Sequence, residues 1–216
     1  MDRNATIEAY LNNRLTADDV ERGTGLSERS QRELLKAGVI EAIPQARTKQ
    51  RLLGAAMFRR ATVVACLNQC GLSLTVAGQI AYAMPQSESI IEDSLRHIEH
   101  IIFGVEEDKQ PFIWKIEIID SKYVTLNMGD GHILEYGELS AGMTSFTFWM
   151  WRIGKTGEYS PPRDTGEFRP QFNSVKIDDI DIDEVVADRR KPVTKITVDV
   201  VQAIRRATTR LIDGTQ

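Results

Sequence analysis

The sequence predicts an α+β protein in which a helical N-terminal part is followed by a smaller antiparallel β-rich part and a C-terminal helix. Apolar side chains recur at helical spacing as far as Phe103. Further along the chain they alternate with polar ones, so that Trp114, Ile116 and Ile118 fall on one predicted strand face. Helical spacing returns near the C-terminus, over residues 201–212.

The composition indicates a globular protein. The chain has 216 residues, of which 42% are hydrophobic, and this is enough for a substantial core and two modest domains. No apolar run is long enough to cross a bilayer, and we expect no secretory signal at the N-terminus. The two cysteines fit a reducing compartment better than a disulfide scaffold. We therefore expect a cytoplasmic protein.

The first organised region predicts two short helices joined by a tight turn. Thr16 can cap the first helix, and Gly23 and Gly25 are expected to stop it. Ser27 can cap the second helix, which is predicted over residues 28–37. Two short helices around a glycine-containing turn form a helix-turn-helix, and the second helix of this motif usually enters the DNA major groove.

The predicted second helix has an apolar side and a basic, exposed side. Leu34 and Leu35 are expected to anchor it to a core, which leaves its arginines, lysine and serine facing outward. Glu28 and Glu33 interrupt the positive charge, and they could either pair locally or reject wrong partners. The side chains predicted to contact DNA at this helix are Ser27, Arg29, Ser30, Arg32 and Lys36.

A basic segment follows and predicts a small β-wing over residues 41–53. Pro44 breaks any helix here, and two short extended pieces can flank a polar tip. Five basic residues and no acidic ones lie between positions 47 and 60. Such a run suits a phosphate backbone, and a solvated basic surface is the alternative. The wing residues predicted to contact DNA are Arg47, Lys49 and Arg51.

Together these features resemble the DNA-binding domain of the MerR family of bacterial regulators, over about residues 15–84. The resemblance implies a winged helix-turn-helix that binds double-stranded DNA, a transcriptional regulator and a homodimer. Arg32 corresponds to the recognition-helix arginine of the family, and Arg47 and Arg51 correspond to its two wing arginines. The other stretches that carry the resemblance are Thr24-Gly25-Leu26-Ser27, Gly38-Val39-Ile40 and Leu67-Asn68-Gln69-Cys70-Gly71-Leu72-Ser73-Leu74.

Charge is divided unevenly along the chain, although its net charge is only −4. Residues 14–60 contain ten basic and six acidic residues, whereas residues 105–216 contain fifteen and nineteen. This division suits a DNA-contacting part joined to an acidic sensor or partner-binding part. We expect a DNA-binding domain over residues 1–85, a linker or dimer helix over 86–104, and a β-rich sensor or interaction domain over 105–216.

The β-rich part carries the candidate effector site. Strands are predicted over residues 112–118, 123–128, 132–136 and 145–153, and a loop over residues 154–173. The last strand has apolar residues on both faces, so it is either covered by another layer or lines a cavity for a small aromatic or apolar effector. The candidate ligand-binding residues are Trp114, Phe148, Trp149 and Trp151.

No residue set indicates catalysis, a cofactor or a metal site. Cys66 and Cys70 can share a helix face, and packing is the favoured interpretation of this pair over metal binding. The final helix is expected to cover the sheet, with a dimer contact as the alternative. We therefore expect a MerR-like transcriptional regulator and no enzyme. The alternative is a protein-interaction or ligand-binding module in which the winged helix is structural.

Overall fold

The computed structural model describes residues 3–44, 51–83, 114–128, 133–153, 159–160 and 193–214. Helices come first, an antiparallel sheet follows, and a helix ends the chain, which agrees with the α+β class expected from the sequence. The chain divides into two compact units: one joins residues up to Tyr82 with those from Val201 onward, and the other contains the sheet. None of the described helices has the length and apolar composition needed to cross a bilayer.

The helical unit consists of short helices and a small two-stranded ladder. The ladder is antiparallel, and a further bridge joins Leu15 to Leu53 of its second strand. The helices are α1 (Arg3–Leu11), α2 (Ala17–Thr24), α3 (Glu28–Lys36), α4 (Ala55–Gln69), α5 (Leu74–Ala83) and α6 (Val200–Asp213), and the ladder strands are β1 (Ala42–Ile43) and β2 (Leu52–Leu53).

Helix α2 begins as predicted but ends differently. The Asp19 amide donates to the Thr16 hydroxyl at 3.2 Å, and the Thr16 amide donates to the Asp19 carboxylate at 2.9 Å, which completes a capping box. Gly25 ends the helix in the left-handed conformation, with φ of 78°. Gly23 does not stop α2, because a Cβ there would lie 2.6 Å from the ring of Phe58 and 3.0 Å from the Ala207 carbonyl oxygen. Close packing, not chain termination, explains this glycine.

Helix α3 is defined at both ends by local signals. The Ser27 hydroxyl accepts a hydrogen bond from the Ser30 amide at 3.3 Å, which satisfies one of the free donors of the first turn. Gly38 follows the helix with φ of 70°, a conformation that glycine adopts without steric cost. The helix ends at Lys36, one residue before the predicted limit. The capping residues therefore predicted α3 correctly.

Helix α6 belongs to the helical unit, which corrects the expectation that it covers the sheet. Arg22 Nε donates to the Leu211 carbonyl at 3.2 Å, and Arg3 pairs with Asp213 at 3.4 Å. The compact unit that contains the sheet ends at Val200, whereas the predicted β-rich domain extends over residues 105–216 and includes α6. Helical spacing identified the apolar face of α6 but could not identify the elements that bury it.

The second unit contains a six-stranded antiparallel sheet in the order β7-β6-β5-β4-β3-β8. Tyr159–Ser160 pairs with the preceding strand, which corrects the expectation of a loop at these two residues. The strands are β3 (Trp114–Ile119), β4 (Tyr123–Met128), β5 (Ile133–Leu139), β6 (Phe146–Ile153), β7 (Tyr159–Ser160) and β8 (Lys195–Asp199).

The centre of the sheet is buried on both faces. On β3, Ile116 and Ile118 are almost fully buried, and Glu117 between them is only 8% exposed. The Glu117 carboxylate lies 2.6 Å from Lys195 Nζ on the neighbouring strand β8, so the buried charge is paired. On β4, Thr125 is buried opposite Glu117. A two-sided core therefore runs through β3 and β4.

Replacing Gly23 by alanine should destabilise the helical unit. The new methyl group would collide with the ring of Phe58, which is fully buried, and would lie 3.0 Å from the Ala207 carbonyl oxygen. We expect a loss of about 1–3 kcal/mol in the free energy of unfolding, measured by urea denaturation. Asp18→Ala, at an exposed position of the same helix, is the control and should change it by less than about 0.5 kcal/mol. Equal stability of the two variants would contradict this account.

Removing the Leu211 side chain should destabilise the same unit, although Leu211 lies near the C-terminus. Leu211 is fully buried on α6, so Leu211→Ala leaves a cavity and should cost about 2–5 kcal/mol in thermal or urea unfolding. Thr209→Ala, at an exposed position of α6, serves as the control. A Leu211→Ala variant as stable as this control would show that α6 is not part of the core.

Candidate nucleic-acid interface

Helix α3 is held in place by its buried side chains. Leu34 and Gln31 are each 2% exposed. Gln31 Nε2 donates to the carbonyl oxygens of Ala17 and Leu26, both at 2.9 Å, and these bonds attach α3 to the start of α2 and to the turn between the helices. This role of Gln31 could not be predicted from the sequence, because glutamine on a helix is normally exposed. Leu35 is only half-buried.

The basic side chains predicted to contact DNA are exposed on α3. Arg29, Arg32 and Lys36 all lie at the surface, as their helical spacing predicted. Ser27 and Ser30 are used partly within the helix, because their hydroxyl oxygens lie 3.1 Å apart and Ser27 is the cap. The exposed cations of α3 together with Arg51 are called the basic face below.

The two acidic residues of α3 pair with its arginines. Glu28 Oε1 lies 2.6 Å from Arg32 Nη2, and Glu33 Oε1 lies 3.4 Å from Arg29 Nε. Both pairs are separated by one helical turn and are largely solvent-exposed, so each contributes little to stability. Of the two roles that the sequence left open for these acids, local pairing is present.

Arg51 and one arginine of α3 line the same cavity. Arg51 directly precedes β2, and Arg32 lies on α3, yet both border a cavity of about 420 Å³. The helix and the start of the second ladder strand therefore bring their cations to one place. The other lining residues are Thr16, Ala17, Asp18, Glu28, Gln31, Leu35 and Leu53.

Two cations of the predicted basic run have structural contacts. Arg60 Nη1 donates to the Val39 carbonyl at 2.8 Å, and its guanidinium lies 5.1 Å from the centre of the Tyr82 ring. Arg59 Nη1 lies 3.4 Å from the Tyr10 hydroxyl. These arginines hold the helical unit together, which corrects the view of the whole run as a phosphate-facing surface. The predicted contacts Arg47 and Lys49 lie outside the described residues.

The two cysteines are free thiols on the last turn of α4 and at its C-cap. Burial raises the pKa of the Cys66 thiol, Cys70 raises it further, and Arg210 and Arg206 of α6 oppose this shift. A thiol with a raised pKa forms less of the reactive thiolate at neutral pH. Cys66 is half-buried and fits the predicted packing role, whereas Cys70 is exposed and does not. Among the described residues, no group of three or more potential metal ligands lies together.

The candidate effector residues lie on two strands that are not neighbours. Trp114 is on β3, whereas Phe148, Trp149 and Trp151 are on β6. Strands β4 and β5 lie between them, so the two backbones are about 14 Å apart at the usual strand spacing. The side chains of these residues lie outside the described part of the structure.

The described surface of the helical unit thus offers a capped helix with outward arginines, one of which shares a cavity with a cation from the ladder. A planar guanidinium suits both phosphate oxygens and the acceptor edge of guanine. Comparisons of the chain with protein-family models, with curated proteins and with solved structures find no match.

Proposed function

We propose that this chain is a MerR-like transcriptional regulator that binds double-stranded DNA through a winged helix-turn-helix. The motif would consist of α2, α3 and the β1–β2 ladder. The observation that carries the proposal is that Arg32 of α3 and Arg51 of the ladder border one cavity. A recognition helix and a wing that act on one duplex must bring their cations to the same face.

The basic face carries a small excess of positive charge, which favours contact with a polyanion. Its four cations and the two acids Glu28 and Glu33 give a formal net charge of +2, and Asp18 borders the same cavity as Arg32 and Arg51. In the proposed complex α3 enters the major groove, with Arg32 and Ser30 near base edges. Arg29 and Lys36 lie nearer the phosphates, and the wing contacts the flanking backbone.

We further propose that the protein acts as a homodimer in the cytoplasm and that the sheet unit serves an effector or oligomerisation role. The path of the chain supports a link between the units, because β8 ends at Asp199 and α6 begins at the next residue, Val200. A ligand that shifts β8 would therefore act on a helix of the DNA-binding unit. The proposed role requires no catalytic activity.

A protein-interaction module is the second candidate. The local ion pairs of α3 favour it, because paired arginines on an exposed helix also suit a protein surface of mixed charge. Fluorescence anisotropy with genomic duplex fragments over a salt series separates the two candidates. A regulator must bind duplex DNA with an affinity that falls as salt rises. If purified protein binds no duplex, including its own upstream region, the regulator proposal is wrong.

Removing the Arg32 guanidinium should weaken specific binding most. On the best duplex selected by the wild-type protein, Arg32→Ala should cost about 1–3 kcal/mol of binding free energy, because an arginine–guanine contact is lost. The control is Arg205→Ala, an exposed arginine of α6 outside the basic face, which should leave the Kd nearly unchanged. Equal losses in the two variants would show only a general charge effect.

Removing the Arg51 guanidinium should instead weaken binding to all sequences. If Arg51 neutralises a phosphate, the slope of log K against log salt for Arg51→Ala should decrease by about 0.9 in magnitude. The measurement is a salt titration on one specific and one unrelated duplex, with both expected to lose affinity by a similar factor. An unchanged slope would place Arg51 away from the DNA backbone.

A further inference from the structure

We infer that Glu28 is a positioning residue that holds Arg32 for the recognition of guanine. The inference rests on the proposed function and goes beyond it, because it assigns a role in base specificity to an acidic residue of α3. Glu28 carries the charge that DNA repels, so general attraction to phosphate gives no reason for it to lie on the basic face.

Glu28 stands where a recognition helix meets the bases. It is the first residue of α3, and side chains near the N-terminus of such a helix contact base edges. Its backbone amide donates to Glu21 Oε2 at 3.2 Å, which links this residue to α2. Glu28 also borders the cavity that Arg32 and Arg51 share. The Glu28 carboxylate therefore lies beside Arg32, at the cavity that Arg51 also borders.

The ion pair orders Arg32 without using up its donors. Glu28 Oε1 lies 2.6 Å from Arg32 Nη2, and the two side chains remain 56% and 57% exposed. A guanidinium has several N–H donors in a fixed plane, so the bond to Glu28 leaves others for O6 and N7 of guanine. Even a weak ion pair favours one arrangement of the Arg32 side chain, so this side chain loses somewhat less conformational entropy when it binds.

The carboxylate also discourages the competing contact. A phosphate at Arg32 would come close to Glu28, and two negative groups at one site repel each other. A base edge carries no such charge, and its acceptors suit the remaining donors of Arg32. Glu28 thus favours guanine over the backbone as the partner of this arginine.

The second ion pair of α3 provides a matched comparison. Glu33 is also one helical turn from its arginine, but its Oε1 lies 3.4 Å from Arg29 Nε, and the Arg29 side chain is 90% exposed. This contact is longer and leaves Arg29 almost free. Glu28→Ala and Glu33→Ala remove the same charge from the same helix, and each releases a different arginine.

The experiment is selection from a pool of random duplexes, followed by sequencing, with wild-type protein and with the variants Arg32→Ala, Glu28→Ala and Glu33→Ala. Arg32→Ala identifies the position at which Arg32 reads guanine, because the preference there disappears. At that position we expect Glu28→Ala to reduce the guanine preference about tenfold, toward the level of Arg32→Ala. Glu33→Ala should keep the wild-type preference, and both glutamate variants should bind unrelated duplex somewhat more tightly.

The outcomes separate this inference from the proposed function. If the wild-type protein selects a site and Glu28→Ala keeps its guanine preference, or loses it only as much as Glu33→Ala does, Glu28 does not position Arg32, although the DNA-binding proposal stands. The inference is equally wrong if Arg32→Ala binds DNA with unchanged base preference. If the wild-type protein binds no duplex at low salt, the proposed function itself fails. Circular dichroism of each variant checks that α3 still forms.

Discussion

The helical unit depends on the close approach of α2 to α4 and α6 at a single glycine. Gly23 leaves no room for a side chain between the Phe58 ring and the Ala207 carbonyl, so segments far apart in the chain meet at one point. Tyr10 of α1 packs on the edge of the Phe58 ring, with ring centres 5.9 Å apart. The close packing at Gly23 sets the position of α2, and the short turn after α2 then sets the position of α3. The position of the basic face therefore follows from the packing of the core.

The arginines of this unit serve two different purposes, and their surroundings decide which. Arg60 is half-buried and donates to a backbone carbonyl, so its charge supports the fold. Arg32 and Arg29 are exposed, and within the described part of the chain each pairs with an acid one turn away on its own helix. Among the described residues, the positive charge of the basic face is small and depends on a few side chains. The face therefore presents oriented guanidinium groups and no strong overall field.

The helical unit is discontinuous in sequence, since the sheet lies between α5 and α6 along the chain. The bond from Arg22 to the Leu211 carbonyl joins residues 189 positions apart. A contact of such long separation closes a long loop, and its gain must offset the entropy of that closure. The unit that carries the basic face is therefore complete only with its C-terminal helix.

Local chemistry made much of the fold predictable. The cap at Ser27, the spacing of Arg32 on α3 and the bounds of β4 each depend on residues close in sequence, and each prediction agrees with the structure. The alternation along β4 did not predict that both of its faces are buried. Three features could not be predicted in this way: the role of Gly23, the inward contact of Arg60 and the place of α6. Each depends on a partner that is distant in the chain.

The sequence by itself determined which residues form α3 and which of its side chains face outward, because helix caps and helical periodicity act over a few residues. Only the tertiary structure decided which cations are used by the core, which pair of arginines meets at one cavity, and which unit α6 completes. The physical reason is that burial and the choice of partner arise from contacts between segments whose meeting no local pattern encodes.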